Sequence, residues 1–149
     1  MKNILLVFLA LVTVANAVPE ASGQSQLVMK VNVASDANDG NPVAVDLVLV
    51  TDERLLEELG EISASEWFEK RNQYRLDYPE ETGLSAGSWE FVPGQDVAPQ
   101  SITVRGEIVG GVIFANYTTP GDHRAVIDPR GDFLVDLGAE DFSVTPLRE

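Results

Sequence analysis

Alternating apolar and polar positions dominate the chain and predict β-strands. We predict a first strand over residues 26–33 and a second over residues 43–50, because apolar residues recur at every second position in both. Asp46 interrupts the other face of the second strand and indicates that this face is partly solvated. The residues that share one apolar face in each strand are Leu27, Met29, Val31, Val33, Val43, Val45, Leu47 and Leu49.

The period then changes and predicts a helical insertion over residues 52–78. Apolar residues recur there with the spacing of one helix face, at Leu55, Leu56, Leu59 and Ile62. A capping box at residues 63–66 predicts the start of a second helix. Pro79 prevents that helix from continuing.

The rest of the chain returns to short strands separated by turn residues. Regular spacing of this kind predicts a sandwich or a barrel. We therefore predict an all-β fold, a two-sheet sandwich of about eight strands with a short helical insertion between strands 2 and 3. The six further strands are predicted at residues 88–92, 101–108, 112–117, 124–128, 133–137 and 142–147.

The start of the chain has the pattern of a cleaved secretory signal. Lys2 precedes an eleven-residue apolar run at residues 4–14, and Ala15-Asn16-Ala17 follows it. The run is shorter than the roughly 20 apolar residues of a membrane span. We predict a signal peptide over residues 1–17, a loose lead-in over residues 18–25 and a single sandwich domain over residues 26–149.

The absence of cysteine bears on anchoring and on chemistry. A bacterial lipoprotein carries its lipid on a cysteine directly after the signal, so we expect a protein that is not lipidated and is periplasmic or secreted. Disulfides, thiol catalysis and thiolate metal sites are excluded as well. The single histidine, His123, offers little for zinc binding or proton transfer. We predict no catalytic residue, no metal site, no cofactor and no stable membrane anchor.

The formal net charge of −14 limits the partners of the chain. Such a surface repels the phosphate backbone of nucleic acids and the surface of anionic membranes. We therefore expect a protein partner whose contact surface is basic or neutral.

Two segments are candidates for contact with that partner. The first is the loop at residues 35–42, which consists of turn formers and is predicted to be exposed and not needed for the core. Changing both Asn38 and Asn41 to alanine is accordingly expected to alter stability by no more than about 0.5 kcal/mol. Asp36, Asn38 and Gly40 have a weak similarity to a calcium loop, but their spacing favours a solvated turn.

The second candidate lies in the helical insertion, where aromatic and basic residues alternate. Such residues dominate binding hot spots. The alternative is that the aromatic residues face the core while the cations pair with surplus acids. The residues concerned are Trp67, Arg71, Tyr74 and Arg75.

Three stretches carry a resemblance to a known family. Val31-Asn32-Val33 leads through residues 38–42 into alternating valines, a helical insertion follows, and residues 92–95 (VPGQ) precede a strand at residues 101–104. This order resembles the outer-membrane lipoprotein family of type VI secretion systems. The lipid-bearing cysteine of that family is absent here.

The resemblance implies a sandwich of transthyretin type that has no enzymatic activity. It also implies binding to the periplasmic region of an inner-membrane secretion component, through the loop between the first two strands. The contact residues implied in this chain are Asn38, Asp39, Gly40, Asn41 and Pro42.

These observations favour an exported, non-catalytic protein-binding subunit of a secretion envelope assembly. The alternative is an exported small-ligand binding module of transthyretin-like shape, and a third hypothesis is an exported hydrolase that uses His123. A deep pocket with converging polar groups would favour a ligand or a substrate, whereas a prominent loop would favour a protein contact.

Overall fold

The computed structural model describes residues 24–147, which form two four-stranded sheets. It confirms the predicted eight strands with helices between the second and the third. The strands are β1 (Gln24–Val33), β2 (Val43–Val50), β3 (Leu84–Phe91), β4 (Gln100–Arg105), β5 (Gly110–Asn116), β6 (Arg124–Ile127), β7 (Phe133–Leu137) and β8 (Phe142–Pro146), and the helices are α1 (Glu53–Glu61) and α2 (Ala64–Asp77).

The strand order is β4-β1-β7-β8 in the first sheet and β3-β2-β5-β6 in the second. All neighbouring strands are antiparallel except β1 and β7, which are parallel, with Met29 opposite Phe133 and Val33 opposite Leu137. The N-terminal strand is therefore central in the first sheet and has both of its neighbours far along the sequence.

The main core lies between the two sheets and is built from alternate strand residues, as the two-residue period predicts. Burial of these apolar side chains is the main favourable term in holding the sheets together. The largest contributors include Leu27, Met29, Val43, Val45, Leu47, Leu49, Ile113, Phe133, Val135 and Leu137.

A second core lies between the outer face of the second sheet and the two helices. Its fully buried members are Val48, Val50, Leu59, Trp67, Val112 and Phe114, with Leu55 and Leu84 nearly so. The Trp67 ring is stacked on the Phe114 ring, with 5.1 Å between the centroids. β2 is consequently buried on both faces.

One carboxylate lies inside this second core. Asp46 is 1% exposed. It accepts a hydrogen bond from the Trp67 indole N–H at 2.9 Å and pairs with the Arg71 guanidinium at 3.1 Å. The prediction that Asp46 marks a partly solvated face was wrong, because two donors from α2 satisfy the carboxylate where it is buried.

Both helices begin at capping residues. The Asp52 side chain accepts hydrogen bonds from the backbone N–H groups of Arg54 and Leu55. The predicted capping box is present, with Ser63 and Glu66 exchanging side-chain and backbone hydrogen bonds. The hydrogen bonds from the Ser63 backbone N–H and hydroxyl lower the pKa of the Glu66 carboxyl below its ordinary value.

β3 begins earlier than predicted, at Leu84 instead of residue 88. The small residues Ser85, Ala86 and Gly87 hide the alternation in the sequence. Pairing with the second half of β2 makes this stretch a strand, with Leu84 opposite Val50.

The other differences are at strand ends in both sheets, and in the second sheet β5 begins at Gly110 instead of residue 112. β1 begins at Gln24, so residues 24 and 25 belong to a strand and not to the lead-in. β4 ends at Arg105 instead of residue 108. The next residue, Gly106, takes a left-handed φ of +75°, which is not a strand conformation. The predicted signal peptide and residues 18–23 lie outside the described residues. Within residues 24–147, no helix is long and apolar enough to cross a membrane.

We predict that Trp67→Ala lowers the free energy of unfolding by about 3–5 kcal/mol, because it opens a cavity in the second core. It also removes one donor to the buried Asp46 carboxylate. Urea denaturation measures the loss. Arg75→Ala on the exposed face of α2 is the matched control, with an expected change within about 0.5 kcal/mol. A Trp67→Ala protein as stable as this control would contradict the packing.

Candidate functional site at the loop end of the sandwich

Four inter-strand loops meet at one end of the sandwich, called here the loop end. They are the β1–β2, β3–β4, β5–β6 and β7–β8 loops, at residues 34–42, 92–99, 117–123 and 138–141. Backbone hydrogen bonds join them: the Gly94 N–H donates to the Ala34 carbonyl at 3.0 Å, and the Asn38 N–H donates to the Gly138 carbonyl at 3.2 Å. The β1–β2 loop is thus held by loops on both sides.

The tip of the β1–β2 loop is a left-handed turn. Asn38, Asp39 and Gly40 take positive φ values of 48°, 53° and 81°. Asparagine, aspartate and glycine are the residues that adopt this region most readily. The sequence Asn-Asp-Gly therefore fixes the shape of the tip as well as its polarity.

Asn38 is a supporting residue of the loop and is only 2% exposed. Its side-chain oxygen accepts hydrogen bonds from the Thr118 backbone N–H at 2.7 Å and from the Thr118 hydroxyl at 3.0 Å. Its side-chain amide donates to the Pro42 carbonyl at 3.0 Å. The amide thereby links the β1–β2 and β5–β6 loops.

The expectation that the whole loop is exposed and dispensable was therefore wrong at two positions. Ala37 is fully buried and belongs to the main core, and Asn38 is buried beside it. Asp39, Gly40, Asn41 and Pro42 are exposed. The Asn41 side-chain amide donates to the Asn38 carbonyl at 3.1 Å, so it steadies the tip from outside.

The loop end is strongly acidic. Its four loops contain six carboxylates and no lysine or arginine. All six are exposed: Asp36, Asp39, Asp96, Asp122, Glu140 and Asp141. Asp122 is paired with Arg124 at the start of β6, at 2.9 Å. The remaining carboxylates present a negative surface around the left-handed tip.

His123 is buried beneath this surface, at 8% exposure. Its Nδ1 lies 2.8 Å from an Asp141 carboxylate oxygen, and its Nε2 lies 2.8 Å from the Thr119 carbonyl oxygen. Both oxygens only accept hydrogen bonds, so a neutral imidazole donates to one of them and a protonated imidazole donates to both. His123 therefore ties the β5–β6 loop to the β7–β8 loop.

The same contacts remove the basis for a nucleophile–histidine–carboxylate triad. The Thr119 hydroxyl is 3.5 Å from Nε2, but it donates to the Glu140 carbonyl at 2.6 Å. The Thr119 hydroxyl hydrogen is therefore directed to the Glu140 carbonyl and not to Nε2, as activation of a nucleophile would require. Within residues 24–147, no three His, Cys, Asp or Glu residues are grouped to hold a metal ion.

Tyr117 is a third buried residue that holds the loops of the loop end together. Its hydroxyl donates to the Gly138 carbonyl at 3.1 Å, and its ring stacks on the His123 ring with 5.0 Å between centroids. Burial, and after it the negative charge of Asp141, raises the pKa of the Tyr117 phenol to about 12. Sequence reasoning did not find Tyr117, Thr118 or Asp141, because their contacts with residues 38 and 123 depend on the folded loops.

The second candidate surface divides in the structure. Trp67 is fully buried and Tyr74 is half-buried, with its hydroxyl donating to the Glu58 carboxylate at 2.8 Å. Arg71 reaches inward to Asp46, and Arg75 alone is exposed. Trp67 and Arg71 therefore agree with the alternative interpretation, in which the aromatic residues face the core and the cations pair with acids.

The sequence matches no protein-family model and no curated protein. The fold is similar to solved structures. The T6SS lipoprotein TssJ1 from Pseudomonas aeruginosa has a TM-score of 0.64 at 13% identity, over 85% of this chain and 99% of that chain. Serratia marcescens Lip, described as a membrane bound component of the Type VI Secretion System, has a TM-score of 0.61 at 11% identity, over 85% and 99%.

A third match is a chain from the structure described as the T6SS protein TssM C-terminal domain (869-1107) from EAEC. It has a TM-score of 0.56 at 12% identity, over 83% of this chain and 98% of that chain. The likeness thus extends over nearly the whole of each matched chain. This protein has the sandwich fold of the type VI secretion lipoproteins, as the sequence resemblance implied.

We predict that Asn38→Ala destabilises the protein by about 1–3 kcal/mol, because it removes a buried amide that hydrogen-bonds the Thr118 N–H and hydroxyl and the Pro42 carbonyl. Asn41→Ala is the matched control and is expected to change stability by less than about 1 kcal/mol, since its amide is exposed. Urea denaturation compares the two. Equal effects would mean that Asn38 does not support the loop end.

We predict that Tyr117 makes the protein sensitive to alkali. Its pKa is near 10 when unfolded and about 12 when folded, so the stabilisation is present below pH 10 and is lost as the pH rises from 10 to 12. Tyr117→Phe should be less stable by about 0.5–1.5 kcal/mol at pH 8 and lose less stability between pH 10 and 12. Urea midpoints measured from pH 8 to 12 test this. If the urea midpoints of the two proteins fell in parallel from pH 10 to 12, the ionisation of Tyr117 would not contribute to the loss of stability.

Proposed function

We propose that the chain is an exported, non-catalytic protein-binding subunit of a type VI secretion envelope assembly. The observation that carries the proposal is the fold, which is similar over 85% of the chain to a T6SS lipoprotein. The features that distinguish this sandwich from a plain one, the helical insertion after β2 and the structured β1–β2 loop, were also the features of the sequence resemblance.

The proposed contact surface is the loop end, centred on the exposed residues Asp36, Asp39 and Asn41. Inter-strand loops held by a rigid sandwich are common carriers of binding. The hydrogen bonds of the buried Asn38 side chain to Pro42 and Thr118 fix the shape of the turn. Little conformational entropy is therefore lost when a partner binds the turn. Four exposed carboxylates of the loop end, those of Asp36, Asp39, Asp96 and Glu140, make no ion pair, and they favour a basic partner surface and increase the association rate with one.

The proposed partner is the periplasmic region of an inner-membrane secretion component. One of the similar chains comes from a structure that is described as the T6SS protein TssM C-terminal domain. This likeness supports a partner of the TssM kind. The site is separated from the start of β1 by the length of that strand, about 30 Å for ten residues. The N-terminal side and the loop end therefore lie at opposite poles.

The proposed location is the periplasm or the cell exterior. Cleavage after Ala17 would leave 132 residues that begin at Val18 and contain no cysteine for a lipid. A non-catalytic role agrees with the contacts around His123, where the Thr119 hydroxyl donates to the Glu140 carbonyl. The protein would then act through binding alone.

We predict that Asp36→Asn combined with Asp39→Asn weakens binding to the purified periplasmic domain of the TssM-type protein from the same organism. Both substitutions remove charge while keeping side-chain size, and asparagine tolerates the left-handed φ of residue 39. Removing two rim charges should lower affinity about threefold to tenfold, mainly through slower association. Biolayer interferometry at low and physiological salt measures both rates.

The matched control is Glu80→Gln combined with Glu81→Gln, which removes two exposed charges from the segment before β3, at the end of the second sheet away from the loop end. This control should bind like the original protein, and both double variants should keep its melting temperature. Equal affinities for the two variants would remove the loop end from the interface. No binding by the unsubstituted protein would exclude this class of partner.

A further inference from the structure

A cleft of about 1100 Å³ opens between the two sheets on the side where β3 and β4 are the edge strands. It lies in the half of the sandwich away from the loop end, because its lining comes from the second half of β2 and from the end of β4. Its volume is at the upper limit of ordinary ligand pockets.

Small residues on β3 create the cleft. Ser85 and Gly87 face Leu49 and Leu47 across the β2–β3 pairing, where larger side chains would fill the space between the sheets. Gly87 cannot be replaced without a shift, because a Cβ there would lie 2.6 Å from the Trp89 ring. The Trp89 indole N–H donates to the Gln100 side-chain oxygen at 3.2 Å, which joins β3 to β4 and closes the cleft toward the loop end.

The floor and the rim of the cleft differ in character. Leu47, Leu49 and Ile102 form an apolar floor. The rim carries three exposed carboxylates, Glu80, Glu81 and Glu107, and one exposed cation, Arg105. An occupant that suits both parts combines apolar groups with positive charge.

The walls of the cleft are strand edges. Among residues 24–147, β3 pairs only with β2, and β4 pairs only with β1. An edge strand leaves backbone N–H and C=O groups free to pair with another extended chain. Residues 84–87 of β3 offer about 13 Å of such an edge, at about 3.3 Å per residue. An extended peptide can use this edge while its alternate side chains enter the cleft.

We propose that this cleft binds an extended peptide segment in which apolar residues alternate with lysine or arginine. The backbone pairs with the edge of β3, the apolar side chains lie over Leu47 and Leu49, and the basic side chains reach the rim carboxylates. The site is distinct from the loop end and does not depend on the function proposed for it.

The probe is a capped six-residue peptide of alternating valine and lysine, compared with one of alternating valine and glutamate. Trp89 reports binding, because its ring lies against Gly87, which lines the cleft. Trp67, the other tryptophan, is buried on the far face of the second sheet. Titration followed by tryptophan fluorescence, in the original protein and in Trp89→Phe, gives the affinity and assigns the signal. Binding of the lysine peptide, with a signal that Trp89→Phe removes, is expected.

Two variants test the site, one at the charged rim and one at a small residue of β3 that lines the cleft. Glu80→Gln with Glu81→Gln should weaken binding about fivefold, as the loss of two exposed ion pairs would. Ser85→Leu should weaken it about tenfold or more by filling the cleft. The controls are Glu57→Gln with Glu61→Gln and the loop-end variant Asp36→Asn with Asp39→Asn, which should both bind the peptide like the original protein. Melting temperatures establish that each variant is folded.

Several results would overturn the proposal. Equal affinity for the lysine and glutamate peptides would exclude charge recognition at the rim. Unchanged affinity in both the rim variant and a folded Ser85→Leu would place the peptide elsewhere. No peptide binding at millimolar concentration, with binding of a small cationic amphiphile such as decyltrimethylammonium, would assign the cleft to a small ligand instead.

Discussion

Burial of β2 on both faces is the constraint on which the rest of the structure depends. One face of the strand belongs to the core between the sheets and the other to the core beneath the helices. The second sheet is therefore stable only if something covers its outer face, and the insertion between β2 and β3 supplies that cover. Asp46 is the one charged group on this strand, and Trp67 and Arg71 satisfy it from α2. A buried carboxylate without these donors would oppose the docking of the helix.

The alternation of apolar residues was sufficient to predict the strands, and the capping box to predict the start of α2. Both are local signals that depend on neighbours within a few residues. The errors occurred where partners are distant. Asp46 is polar in the sequence and buried in the fold because its donors lie 21 and 25 residues later. Asn38 was placed on the surface because its partner Thr118 lies 80 residues away. The small residues at the start of β3 carry no alternation at all.

The loop end separates supporting residues from residues that a partner can reach. Asn38, Tyr117 and His123 are buried and connect loops to each other. Asp36, Asp39 and Asn41 are exposed and contribute charge and hydrogen-bonding groups. The sequence did not predict this division, since turn formers occur in both sets. A variant that changes a buried supporting residue together with an exposed one cannot separate a loss of folding from a loss of binding.

The central position of β1 in the first sheet has a consequence for how the chain reaches its folded state. β1 pairs with β4 and, in parallel, with β7, so the first strand made is completed only when strands near the end of the chain are available. Pairings between such distant segments form slowly, because the intervening chain must be closed into a loop first. A polypeptide leaving the ribosome would hold an unpaired N-terminal strand until its synthesis is nearly finished. Delayed closure of this kind would keep the chain unfolded long enough for the export proposed above.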